Sequence, residues 1–255
     1  MFELLTAIFP SWFEFGAVFA VFVLAELIYV AFGFGAGLIA VGLLALIMPV
    51  IQDVVVILLL VNIPVEMVVV WSSRKNLHWR GLLVILVGVG AGILLGTWIL
   101  LIGTPFIILT FLGFFLVIAG SAFALIPHRG NIEWPKWVTP LVGLVSGILA
   151  GLFGTGGPPL IFYYQLQGTP KSIFRSSLMA IFLSMALVRV PVYTLTGLIT
   201  LPRLLAAISI APAVILGVVM GHKIHIQLNE LTFRRLVGII LAIIGILLIG
   251  RHLAM

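Results

Sequence analysis

The chain contains no cysteine, and only 8% of its 255 residues carry a charge. Without cysteine it can form neither disulfides nor thiol-based sites. The scarcity of charge accompanies a hydrophobic fraction of 63% and a mean hydropathy of +1.38, which is more apolar surface than a soluble core needs. These values predict an all-α polytopic membrane protein.

Other absences narrow the function. The sequence has no Gly-x-x-x-x-Gly-Lys-Ser/Thr loop, so the chain itself is not expected to hydrolyse a nucleotide. No cluster resembles a metal site, no pair of catalytic groups is recognisable, and all five histidines fall in loops or the tail. The net charge of +6 is spread over short loops, which is typical of membrane topology. We therefore expect no enzyme activity, no cofactor and no nucleic-acid partner.

Ten apolar segments can be traced, in two groups of five. They comprise residues 14–31, 35–48, 53–71, 81–102 and 104–126, then 138–153, 158–168, 173–194, 203–221 and 232–250. The first two segments of each group fall short of the roughly 20 residues that span a bilayer. Each such pair is therefore expected to form a hairpin of short helices or a re-entrant loop. The two hairpins open transmembrane repeats of residues 14–126 and 138–250.

One stretch interrupts the helical pattern most strongly. Residues 151–160 contain four glycines and two adjacent prolines. Glycine costs conformational entropy in a helix and proline lacks the N–H donor, so a continuous helix is not expected here. Backbone groups freed in this way are tolerated in a membrane only where they are buried in protein or line a wet cavity. The stretch therefore predicts a binding site, and a kink or a close helix contact is the alternative.

The same interruption occurs in each half of the chain. Gly33 aligns with Gly154 at an offset of 121 residues, and four further glycine pairs share an offset of 125. These pairs are Gly92 and Gly217, Gly96 and Gly221, Gly113 and Gly238, and Gly120 and Gly245. Interruptions at matching positions indicate an internal duplication and are typical of a transporter's substrate site. Because each repeat has five segments, the second repeat is expected to be inverted.

The distribution of basic residues agrees with inversion. If the loop with Arg74, Lys75 and Arg80 is cytoplasmic, ten of the thirteen basic residues lie in the cytoplasm. This topology predicts both termini outside. The amino-terminal residues lack the basic start of a cleavable signal and are expected to remain in the mature protein.

Several glycines recur four residues apart and are predicted to mediate helix packing in lipid. They are Gly88, Gly92 and Gly96, then Gly143, Gly147 and Gly151, then Gly217 and Gly221.

The helix starts that follow the two breaks form the predicted anion site. Helix N-termini present free N–H groups and a partial positive charge, which suit a small oxyanion. The candidate substrate-binding residues are Gly33, Gly35, Ala36, Gly37, Gly154, Thr155, Gly156, Gly157, Gln165 and Arg175. A side chain at Gly156 is expected to block the anion and leave the protein folded. For Arg175, a simple cytoplasmic anchor is the alternative.

Four residues inside apolar segments are candidates for coupling or gating, because polar groups are costly in the membrane. They are Glu26, Asn62, Glu66 and Arg189. The alternative for the charged ones is a structural role, through pairing or snorkelling.

From Phe15 to Gly250 the chain resembles the sulfite exporter TauE/SafE family, a class of bacterial anion permeases. Its most specific matches are residues 154–159 (GTGGPP) and 168–175 (GTPKSIFR), while residues 35–37 read Gly-Ala-Gly where three glycines are common in the family. The resemblance implies a multi-pass protein of the bacterial inner membrane that exports sulfite or a related sulfonate. An interior-negative potential favours anion export by about 2.3 kcal/mol per charge per 100 mV, so no coupling ion is required. The alternatives are a proton-coupled permease for another anion, an intramembrane enzyme and a purely structural membrane subunit.

Overall fold

The computed structural model describes residues 6–32, 35–48, 50–73, 79–126, 130–223 and 230–253, and for a few helix-end residues, Ala36 and Lys171 among them, only the backbone. In this part of the chain the backbone forms ten helices and no strand, which confirms the all-α fold class. The helices are α1 (Trp12–Phe32), α2 (Ala36–Ile47), α3 (Ile51–Ser73), α4 (Trp79–Ile102), α5 (Pro105–Leu125), α6 (Val138–Phe153), α7 (Gly157–Leu166), α8 (Lys171–Leu195), α9 (Leu201–Lys223) and α10 (Glu230–Leu253).

The helices follow the ten predicted segments, with one correction of length. Within the described ranges, six helices are long and apolar enough to cross a membrane, and α1 is one of them with 21 residues. The expectation that the first segment is short is therefore wrong. The helix begins early because the Ser11 hydroxyl accepts a hydrogen bond from the Glu14 N–H at 3.1 Å and so caps its first turn. The other helices of the two hairpins, α2, α6 and α7, are short, with 12, 16 and 10 residues.

The exposed surface of the long helices is apolar. Large hydrophobic side chains such as Trp98, Phe111, Ile118 and Ile215 are more than half exposed. Exposed apolar area of this extent is unusual on a soluble protein and suits contact with hydrocarbon. The protein is therefore a multi-pass helical membrane protein.

The chain divides into two compact units. One contains residues 1–61, 103–126 and 199–255, and the other residues 62–102 and 127–198. The first unit therefore holds α1, α2, α5, α9, α10 and the first part of α3, which ends at Val61. The second unit holds the rest of α3 together with α4, α6, α7 and α8.

In the second unit, α4 packs along α6 through glycine. A Cβ atom on Gly92 would overlap the carbonyl oxygen of Leu144 and lie 2.9 Å from the Cα of Gly147, and a Cβ on Gly96 would overlap the carbonyl of Ile148. Contacts at these distances involve backbone atoms, so only glycine permits them. The prediction that the glycines spaced by four mediate packing is confirmed.

The first unit contains the same contact between α9 and α1. A Cβ on Gly217 would lie 2.6 Å from the Val23 carbonyl oxygen and 2.7 Å from the Glu26 Cβ, and a Cβ on Gly221 would lie 3.1 Å from the Leu27 carbonyl. Each glycine follows its counterpart in α4 by 125 residues, and each partner in α1 precedes its counterpart in α6 by 121 residues. The contact therefore recurs at the two offsets that the sequence shows.

Another close helix pair in the first unit is α5 with α10. Gly113 lies against Gly245, and Gly120 lies against Gly238. Because the partners run in opposite order along the chain, α5 and α10 are antiparallel. An ion pair in this unit joins Arg203 on α9 to Asp53 on α3, with Arg203 Nε 2.6 Å from Asp53 Oδ1.

Candidate functional site

The second break lies between α6 and α7, as the sequence predicts. Helix α6 ends at Phe153, and Gly154 follows it with φ of 79°, a left-handed conformation that suits glycine. The Gly154 N–H still bonds the Ala150 carbonyl at 3.0 Å, and α7 begins at Gly157. The last carbonyl groups of α6, which lack a partner within the helix, thus lie close to the start of α7.

Prolines reduce the number of donors at the start of α7. The first four N–H groups of a helix have no partner within it. In α7 these positions are Gly156, Gly157, Pro158 and Pro159, and the two prolines have no N–H. The backbone therefore offers only the N–H groups of Gly156 and Gly157, with that of Thr155 just before them. A full positive charge is needed nearby if an anion is to be held strongly here.

Arg189 on α8 provides a charge at this break. Its side chain is 4% exposed, and its Nη1 donates a hydrogen bond to the Gly154 carbonyl at 3.3 Å. The Nε donates to the hydroxyl of Tyr193 at 3.3 Å, and that hydroxyl donates to the Gly151 carbonyl at 2.7 Å. Arg189 and Tyr193 together therefore satisfy carbonyls at the end of α6, and they hold a guanidinium beside the start of α7.

The space beside Gly156 is filled, contrary to expectation. A Cβ on this residue would overlap the carbonyl of Ser146 and lie 3.0 Å from the Met185 Cε. A leucine at Gly156 would therefore push α7 away from α6, so the expectation that it leaves the fold intact is not supported. Gly157 is less constrained, since its Cβ would meet the Phe182 ring at 3.4 Å, an ordinary contact.

Ser146 is a buried hydroxyl that sequence reasoning missed. Its exposure is 0%, and its Oγ forms no hydrogen bond with any residue that the structure describes. A buried polar atom without a partner is costly, which makes Ser146 a candidate ligand group beside Gly156. In the sequence, Ser146 stands among the packing glycines of α6, and nothing there marks it as a ligand group.

Gln165 lies near the other end of α7. It is 7% exposed, and neither amide atom has a hydrogen-bond partner in the described part of the chain. The end of the helix is held by Tyr163, whose hydroxyl lies 2.9 Å from that of Thr139 and whose ring stacks on Trp134. The side-chain amide of Gln165 thus offers donors and an acceptor that no described residue uses. It lies at a helix end that the contacts of Tyr163 hold in place.

The first break differs from the second. Helix α2 begins at Ala36 after Gly35, whose φ is 92°. Among the described residues, no other group lies within 4 Å of where a Gly35 Cβ would be. Gly33 lies outside the described residues. Because no proline follows, the first turn of α2 keeps the N–H groups of Ala36, Gly37 and Leu38.

The other predicted residues are spread over three helices. Glu26 is buried on α1, Asn62 and Glu66 are partly buried on α3, and Arg175 is exposed near the start of α8. Arg189 and Gly154 are the predicted residues that the structure joins by a hydrogen bond. Tyr193 was missed, although its spacing of four residues from Arg189 on one helix would place both on the same face.

The fold and the site define a class of protein: a multi-pass helical membrane protein in which a buried arginine side chain lies at the interruption between two short helices. The sequence model of the family described as Sulfite exporter TauE/SafE matches residues 18–248, and the chain belongs to this family. The chain is also similar to a protein described as "Probable sulfite/organosulfonate exporter TauE" from Cupriavidus necator. The two are 23% identical over 216 residues, which cover 83% of this chain and 84% of that protein. No solved structure matches the chain.

Proposed function

We propose that this chain exports a small oxyanion, sulfite or an organosulfonate, across the bacterial inner membrane by alternating access. Family membership supports export, and the description of the Cupriavidus necator relative supports this substrate class. In the proposed mechanism the anion is held near the bilayer midplane at the N-terminal ends of the helices that follow the breaks.

The observation that carries the proposal is the position of Arg189. A guanidinium in a membrane interior is costly, so its placement at the Gly154 carbonyl needs a reason. Capping the end of α6 is one part of that reason. The other part is that Arg189 places a positive charge beside the N–H groups of Gly156 and Gly157. Such a site favours an oxyanion over a cation.

Alternating access is supported by the recurring helix contacts. The contact of Gly92 with Leu144 has a counterpart in that of Gly217 with Val23, and α5 is antiparallel to α10, its counterpart by sequence offset. Corresponding helices that run in opposite directions are what an inverted repeat requires. Movement of one repeat against the other would open the site to each side in turn. Arg175, at the proposed cytoplasmic end of α8, would attract anions to the site from that side.

Ligand-induced stabilisation of the purified protein tests the binding step. Sulfite and methanesulfonate should raise the thermal stability in detergent, because both bind the folded state, whereas a change of cation at constant anion should not. Arg189→Gln should abolish the shift. Arg235→Gln removes an exposed charge on α10 and serves as the control, in which the ligand-induced shift should remain.

Ser146→Ala separates binding from folding. Because the hydroxyl has no partner among the described residues, its removal should leave the ligand-free protein as stable as the parent or more stable. If the hydroxyl donates to the anion, the same variant should bind methanesulfonate about three- to tenfold more weakly, a loss of the size of one hydrogen bond. In proteoliposomes, the rate of anion release should follow the binding affinity, highest for the parent, lower for Ser146→Ala and lowest for Arg189→Gln. Unchanged binding in Arg189→Gln would reject the proposed site, and release of cations instead of anions would reject the function.

A further inference from the structure

We infer that Glu26 is the proton-binding group of this transporter, and that each anion crosses the membrane together with one proton. The inference rests on the proposed function and concerns the first break, which the mechanism above leaves without a charged residue. It replaces the uncoupled export that the sequence alone favours.

Glu26 is buried without compensation. The residue is 3% exposed within a membrane-spanning helix, and its Oε2 has no hydrogen-bond partner in the described ranges. An ionised carboxylate in such surroundings loses its hydration and gains nothing in return, whereas the protonated acid is tolerated. The structure therefore suits the neutral acid.

Packing does not explain why an acid lies at this position. The Glu26 Cβ lies at the close approach of α1 to Gly217 on α9. The same helix contact in the other repeat is formed by Gly147 against Gly92. In that contact a glycine is sufficient for helix packing. The first repeat instead has a side chain that is costly to bury at the equivalent position, which indicates a function for the carboxyl group.

In the described ranges, no cation on α1, α2 or α9 forms an ion pair with Glu26. Helix α2 has no titratable residue, and those of α9 are Arg203, His222 and Lys223. Arg203 pairs with Asp53 and lies fourteen residues, roughly 21 Å of helix rise, from Gly217. The other two are exposed in the last turn of α9. On α1 itself the titratable residues are Glu14, near its start, and Tyr29, neither of which is a cation at neutral pH.

The position of Glu26 links its proton to the anion. It lies six residues before the end of α1, roughly 9 Å of helix rise from the first break. Two negative charges at about 10 Å and an effective dielectric constant of about 20 oppose each other by an amount that changes affinity on the order of tenfold. An anion at the start of α2 therefore binds best when Glu26 carries its proton. A monovalent anion and that proton cross with no net charge.

Methanesulfonate is the probe that tests this linkage, because it stays a monoanion between about pH 5.5 and 8.5, so any pH dependence belongs to the protein. In the parent protein its affinity should be highest at low pH and fall about tenfold as pH rises. Glu26→Gln imitates the neutral acid and should bind tightly at every pH. Glu14→Gln, on the same helix, should keep the dependence of the parent.

Proton uptake provides a second measurement that needs no variant. In a weakly buffered solution, the parent should take up protons as methanesulfonate binds, to a maximum of about half a proton per anion, because a tenfold linkage displaces the protonation equilibrium by only about one pH unit. Binding without proton uptake and without pH dependence would overturn the inference and leave the proposed function standing. An equal pH dependence in Glu26→Gln would also overturn it. If the parent binds neither sulfite nor methanesulfonate, the proposed function itself has failed.

Discussion

Gly92→Ala tests whether backbone contact between α4 and α6 holds the second break in place. The added Cβ would overlap the Leu144 carbonyl and lie 2.7 Å from the Ile148 nitrogen and 2.9 Å from the Gly147 Cα. All three are backbone atoms, so no side-chain rotation relieves the overlap and the helices must separate. Gly90→Ala is the matched control two residues away, because no atom of the described part of the chain lies within 4 Å of its added Cβ.

The comparison isolates one energy term. Alanine is favoured over glycine in a helix by about 1 kcal/mol, and both variants gain this term, so it cancels in their difference. What is left is the cost of overpacking, about 1–3 kcal/mol, toward the upper end because backbone must move. A difference of that size corresponds to roughly 2–12 °C in the midpoint of unfolding for a chain of this length. Gly90→Ala should be as stable as the parent or more stable.

Thermal unfolding of the two purified variants in one detergent, followed by tryptophan fluorescence, measures the difference. Gly217→Ala should behave like Gly92→Ala, since its Cβ would lie 2.6 Å from the Val23 carbonyl in the corresponding contact. Equal midpoints for Gly92→Ala and Gly90→Ala would show that α4 and α6 are not packed as described.

Two further predictions concern the hydrogen bonds of the site and the topology. Tyr193→Phe leaves the Gly151 carbonyl without its donor and should lower the free energy of unfolding by about 1–3 kcal/mol. Thr194→Val should cost less than about 0.5 kcal/mol, because its hydroxyl bonds an exposed carbonyl of its own helix, and equal losses would contradict the account. Since the native chain has no cysteine, single cysteines report topology, and Asn131→Cys should be labelled only from the cytoplasm and Thr200→Cys only from outside. Labelling of both from one side would reject the inverted repeats.

Gly156 shows where sequence reasoning failed at the site. Glycines and prolines in an apolar segment correctly predict that the helix is interrupted, because their effect on the backbone is local. They do not tell which glycine borders open space. Gly156 and Gly157 are neighbours in the sequence. Yet a Cβ on Gly156 would overlap the Ser146 carbonyl, whereas a Cβ on Gly157 would meet an aromatic ring at an ordinary contact distance. That difference depends on how α7 is rotated against α6.

Arg189 and Tyr193 show a second feature of the site that sequence reasoning cannot predict, namely which residues bond each other. The cost of a charge in the membrane marks Arg189 as important whatever it contacts. Its bond to Gly154 spans 35 residues, and the bond from Tyr193 to Gly151 spans 42. No periodicity or composition predicts such pairs, because each is formed only after α6 and α8 have packed together.

The sequence by itself determined that the protein is helical and membrane-embedded, where its helices break, and which glycines lie at helix contacts. These properties follow from local chemistry, since hydrocarbon requires satisfied backbone groups and only glycine permits contact between backbones. The tertiary structure alone decided which helices pair, that Asp53 bonds Arg203, and which buried polar groups meet at the break. Hydropathy specifies that a segment enters the membrane and carries no information on the rotation of the helix about its axis. That rotation is selected by packing against its neighbours, and it decides which side chains share a site.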